Sequence, residues 1–157
     1  MKKLISTSFF ITILLAGFSN VYAQAELRKK EFNISKSALA IEGYDPVAYF
    51  TANKAIKGSK DLAVVYEGVY YYFSSAQNKE LFKANPAKYE PQYGGWCAYA
   101  MGATDEKVEV DPETFKIING KLYLFYHSWT NNTLKTWNKD ETNLKSKADA
   151  NWTKIFH

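Results

Sequence analysis

Residues 115–126 read FKIINGKLYLFY. Two apolar runs flank Asn119 and Gly120, and Asn-Gly takes the positive backbone angles of a type I′ turn, which joins antiparallel strands without splaying them. A strand places alternate side chains on one face, so Leu122, Leu124 and Tyr126 share a face and the stretch predicts a β-hairpin laid on a core. Residues 63–73, AVVYEGVYYYF, repeat the arrangement. Ala63 to Tyr66 and Val69 to Phe73 are rich in β-branched and aromatic side chains, and Glu67 with Gly68 supply a two-residue link.

Helical signals surround the hairpins. Asp45 followed by Pro46 is an N-cap with proline at the first helical position, which predicts a short helix from Pro46 to about Asn53. Ser74 or Ser75 caps SAQNKELFKAN, in which Leu81 and Phe82 are expected to face the core and Pro86 ends the winding. Residues 89–95, YEPQYGG, read as a loop. In the tail, Leu134 with Trp137, and Leu144 with Ala148 and Trp152, have helical spacing, so two helices joined near Asp140 are expected. The fold class is therefore α+β, a small single domain with two β-hairpins packed against short helices.

The chain opens MKKLISTSFFITILLAGFSNVYA. Two lysines precede an apolar run that ends near Phe18, and Val21 and Ala23 supply the small residues wanted before a cut, which is the layout of a secretory signal over residues 1–23. The run is short for a membrane span, which needs about 20 residues. Phe18 stands where a lipoprotein signal would carry cysteine, so the expected product is soluble, periplasmic or secreted, with no transmembrane segment after cleavage. Formal charge is +4, from 20 basic and 16 acidic side chains, and half of the excess leaves with Lys2 and Lys3. Arg28, Lys29 and Lys30 are offset by Glu26 and Glu31, so no nucleic-acid footprint is present.

Cys97 is the only cysteine, in YGGWCAYAM at 93–101. In an oxidising compartment it cannot pair within its own chain, so it stays a thiol, binds something or links two chains.

Several stretches together resemble the YHS domain family, in particular its small exported members: GYDPVAYF at 43–50, YEGVYYYFSS at 66–75, FKANPAKYEPQYGGWCAYAM at 82–101, DPETFKIINGKLYLFY at 111–126 and KADANW at 147–152. The resemblance implies a polar lead over 24–40 and a YHS-like domain with C-terminal helices over 41–157. It also implies a role in handling metal, copper most of all, in the cell envelope. Metal-binding relatives hold the ion through cysteines in patterns similar to D-P-V-C-G-M and Y-Y-F-C-S-x-x-C. Here those cysteines are replaced by Ala48, Ser74 and Asn78, and zinc or copper needs softer donors than these.

Two kinds of candidate site remain. If CAYAM is helical, Cys97 and Met101 share a face, and with His127 they offer sulfur and imidazole to copper or zinc. The same cysteine and methionine also read as core filler, and Gly94 and Gly95 as a tight turn. A thiol nucleophile at Cys97 lacks a resolving cysteine, and no catalytic residue is assigned. Tyr44, Tyr93, Trp96 and Tyr99 cluster around two glycine-containing loops as a cleft for a small or planar ligand, with Asp45 either a polar contact there or simply the helix cap. The alternative function is thus a small-ligand or protein-interaction module without metal.

Overall fold

The computed structural model describes residues 22–156. The signal expected over residues 1–23 lies outside them except for Tyr22 and Ala23, as does His157. Residues 22–31 are helical (α1). There follow α2 (Ala48–Thr51), β1 (Ser59–Tyr66), β2 (Val69–Phe73), α3 (Ala76–Ala84), α4 (Pro86–Tyr89), α5 (Ala98–Ala103), β3 (Asp111–Ile118), β4 (Lys121–Phe125), α6 (Thr133–Trp137) and α7 (Glu141–Ile155). Two-stranded antiparallel sheets pair β1 with β2 and β3 with β4, as the α+β reading expects.

Both hairpin turns follow from their residues. Glu67 and Gly68 have φ of 45° and 80°, and Asn119 and Gly120 have φ of 51° and 73°, the pair of positive angles that suits the twist of the strands. Tyr66 then faces Val69, and Ile118 faces Lys121. Parallel bridges extend each sheet by one short segment, Leu39 against Tyr70 and Pro91 against Leu122.

Strand β4 divides the interior. Leu122 and Leu124 lie in a first core with Val47, Tyr49, Val69, Tyr71, Phe73 and Phe82. Tyr123 and Phe125, on the opposite face, lie in a second core with Met101, Trp137, Leu144 and Ala148. A strand buried on both faces loses the polar alternation of a half-exposed one. The face expected to carry Leu122, Leu124 and Tyr126 is present, but Tyr126 falls beyond the strand and is half-buried.

Three local outcomes refine the sequence reading. Phe82 is fully buried but Leu81 is exposed. Adjacent helical residues point about 100° apart at 3.6 residues per turn, and the short α3 presents one stripe centred on Phe82 beneath Tyr66, Tyr71 and Phe73. Pro86 ends α3 and also begins α4, with Asn85 capping both. In the tail, Gly102 of α5 sits so close to α7 that a Cβ there would lie 2.3 Å from the Leu144 carbonyl oxygen, which locks the two helices together.

The segment before the first hairpin also enters the fold. Arg28 is 4% exposed. Its guanidinium bonds Glu90, reaches Glu67 at 3.0 Å and the Tyr71 hydroxyl at 3.3 Å, and lies 4.5 Å from the Phe32 ring centroid. Planar, delocalised arginine suits such a forked and stacked position. Nothing local in the sequence marks it, since Glu67 and Glu90 are 39 and 62 residues away.

Candidate functional site

The positions that carry cysteine in metal-binding relatives converge on one carboxylate. Asp45 is fully buried. Its Oδ1 accepts the amides of Val47 at 2.9 Å and Ala48 at 3.3 Å, so the carboxylate holds the turn leading into α2, which runs only from Ala48 to Thr51 with Val47 at its N-cap, shorter at both ends than the helix expected from Pro46 to about Asn53. Its Oδ2 accepts three donors: the Ser74 amide at 2.8 Å, the Ser74 hydroxyl at 2.6 Å and the Asn78 side-chain amide at 2.7 Å. One side chain therefore joins the start of α2, the end of β2 and the first turn of α3.

That donor set does not fit a soft metal. Ala48 presents a methyl group, and Ser74 and Asn78 present a hydroxyl and a carboxamide whose hydrogens are turned toward Asp45. A cation placed there would meet N–H and O–H hydrogens, while zinc and copper require lone pairs from thiolate or imidazole. Charge-assisted hydrogen bonds instead satisfy a carboxylate that would otherwise be costly to bury.

The loop that presents Asp45 is held in an uncommon conformation. Ile41, Glu42 and Gly43 have φ of 50°, 51° and 80°, and for a β-branched residue such as Ile41 the left-handed region is a genuine outlier. The surrounding bonds over-determine it. Gly58 donates to the Gly43 carbonyl, Asp45 donates to the Ile56 carbonyl, and the Lys57 ammonium reaches the Glu42 carbonyl at 2.8 Å. Gly58 itself allows no side chain, because a Cβ would fall 2.4 Å from the Tyr72 backbone. Tyr93, Gly94 and Gly95 form a second left-handed run, with φ of 56°, 60° and 87°.

Cys97 and Met101 are both fully buried and stand one turn apart, with the Met101 amide bonded to the Cys97 carbonyl at 3.0 Å. The thiol has its own partners. Tyr126 donates its amide to Sγ at 3.3 Å, and Sγ lies 3.5 Å from the Thr133 hydroxyl. Since that hydroxyl donates to the Tyr126 carbonyl at 2.8 Å, the sulfur proton is the one directed at Thr133 Oγ1. Cys97 thereby stitches the start of α5 to the end of β4 and to α6.

The His127 ring is turned elsewhere. Its Nδ1 lies 3.2 Å from Asp111 Oδ2 and 3.1 Å from Thr114 Oγ1, with the side chain 44% exposed. Burial opposes ionisation of Asp111, but hydrogen bonds from Thr114, the Glu113 amide and His127 outweigh it and hold the carboxyl below its usual range. No hydrogen bond among the described residues joins the imidazole to Cys97. Among those residues, no group of three or more histidine, cysteine or acidic side chains is arranged to hold a metal ion.

The four aromatic candidates occupy two places. Tyr44 packs on the first core and donates its hydroxyl to Glu113 at 3.0 Å, with the Lys57 ammonium 3.9 Å from its ring centroid. Tyr93, Trp96 and Tyr99 pack on the second core. Tyr93 is buried and donates to Asp149 at 2.8 Å, and Trp96 donates its indole N–H to the Glu31 carbonyl at 2.6 Å. Trp96 and Tyr99 remain half-exposed.

No helix among the described residues is long and apolar enough to cross a membrane. Neither curated proteins nor solved structures give a significant match to the chain. Residues 47–93 match the family model described as the YHS domain, a span that runs from the residue after the Asp-Pro pair through Ser74 and Asn78 to Tyr93. Over that span the chain is similar to the YHS domain family.

Proposed function

We propose that this protein is an exported, metal-independent YHS module of the periplasm or cell exterior, and that it works by binding a ligand or partner. The observation that carries the reading is the Asp45 junction. The three places where relatives present cysteine are filled here by a methyl group and two hydrogen-bond donors closed onto a buried carboxylate. The family's association with copper handling therefore finds no soft donors at its usual position. Cys97 and Met101 favour the second reading, a displaced copper-type site, because two buried sulfurs lie within one helical turn. Against it stand the bonds already made by the thiol and by His127.

Titration of the purified protein with Cu(I) and Zn(II), read by elemental analysis after desalting, separates the two. The metal-independent module takes up no stoichiometric metal. Uptake of about one equivalent, lost in Cys97→Ser, establishes the copper-type site instead, and stoichiometric uptake retained in that variant equally overturns the metal-independent reading.

A further inference from the structure

Beside the strained loop lies a cavity of about 170 Å³, smaller than the roughly 300–1,000 Å³ of sites for drug-sized ligands. It suits a single extended side chain or a small linear molecule. Ile34, Leu39, Ile41 and Val110 give it aliphatic walls, and Glu42 and Glu109 belong to the same lining. Both glutamates are exposed, and neither enters an ion pair among the described residues. Lys57 gives its ammonium to the Glu42 backbone carbonyl oxygen and the Tyr44 ring. The left-handed backbone at Ile41 and Glu42 fixes these two neighbours on one rim of the cavity.

We propose that this cavity binds an aliphatic ammonium: a methylene chain along the apolar walls with its cationic head between Glu42 and Glu109. A lysine side chain has this form, with an apolar stem that buries well and a charged tip that stays at the surface. A free linear diamine offers the same chemistry. Asn33 and Ser35 complete the lining, with the Asn33 amide committed to the Gly95 carbonyl. The inference rests on the reading of the protein as a binding module and names the class of group it takes.

The test is a two-dimensional amide NMR titration of the isotope-labelled protein with 1,5-diaminopentane and, separately, with the capped tripeptide acetyl-Gly-Lys-Gly-amide. Saturable shifts confined to residues 33–42 and 108–111 are expected with at least one probe, and which probe binds distinguishes a free amine from a peptide side chain. The same tripeptide with norleucine in place of lysine should give at least tenfold weaker binding, and Glu42→Gln with Glu109→Gln should weaken the amine by a similar factor. Absence of saturable shifts with both cations, or equal binding of the norleucine peptide to the wild-type protein, overturns the proposal without recourse to a variant. Failure here alongside absent metal uptake overturns the cavity assignment alone, whereas stoichiometric metal uptake overturns the metal-independent reading itself.

Discussion

Replacing Asp45 by asparagine tests whether the carboxylate holds the junction. The substitution keeps size and shape but leaves one acceptor oxygen where there were two, and it introduces an N–H pair facing existing donors. Five hydrogen bonds converge on the carboxylate, two on Oδ1 and three on Oδ2. If the amide oxygen takes the Oδ2 position, the turn into α2 loses its acceptor; in the other orientation Ser74 and Asn78 lose theirs. Either way at least two bonds to a charged group disappear and buried donors confront each other. At about 1.5–3 kcal/mol for each such bond, the loss of two is about 3–6 kcal/mol, a large share of the roughly 5–15 kcal/mol that stabilises a domain. With a urea m-value of about 2 kcal/mol/M, the midpoint followed by tryptophan fluorescence should fall by roughly 1.5–3 M with m unchanged. A loss below about 1 kcal/mol would refute the assignment, as would a wild-type midpoint that drops on addition of a chelator, since a bound metal would then be the fastener.

Two further outcomes check other parts of the structure. Gly102→Ala should destabilise by about 3 kcal/mol or more, because its Cβ meets Leu144 backbone and a well-packed contact has nowhere to shift. Gly120→Ala, with φ of 73° but nothing within 4 Å, should cost only about 1–2 kcal/mol of backbone strain; denaturation curves that reverse this ranking contradict the α5–α7 contact. The Asp111 carboxyl, whose folded pKa is depressed, stabilises the fold fully above its unfolded value of about 3.9 and loses that contribution as pH falls through the folded value. The stability gap between wild type and Asp111→Asn should therefore shrink below about pH 4; a gap that widens on acidification would be inconsistent with the Thr114 and His127 bonds.

Much of the architecture was written locally. Asn-Gly and Glu-Gly turns, Ser75 and the spacing of Leu144 with Ala148 each act within a few residues, and the structure keeps all of them, while the helix after Asp45 and Pro46 starts two residues later than the pair suggests. Features that depend on distant partners were not legible. The run LYLF could not reveal that both its faces are covered, because a one-sided strand and a dividing strand present the same apolar letters. Leu81 was placed inside because helical spacing alone does not say how narrow the buried stripe is. Arg28 read as one of three basic residues, although its partners come from a turn and a loop far along the chain. At the candidate site, the missing cysteines at Ala48, Ser74 and Asn78 were visible in the pattern and Asp45 was visible as a cap. Their convergence was not, since Oδ2 gathers donors 29 and 33 residues away. No residue preference signals Ile41 in a left-handed conformation, and that conformation shapes the cavity rim.

The position of β4 bears on where this protein can be cut. The family match ends at Tyr93, yet Leu122 and Leu124 supply part of the core over which residues 47–89 close, and Pro91 pairs directly with Leu122. A fragment ending at residue 93 would keep the whole matched span and still expose Val47, Tyr71 and Phe73 to water. The inheritable motif and the autonomous folding unit are therefore different objects in this chain, and only the longer one is a workable piece for grafting, truncation or fusion.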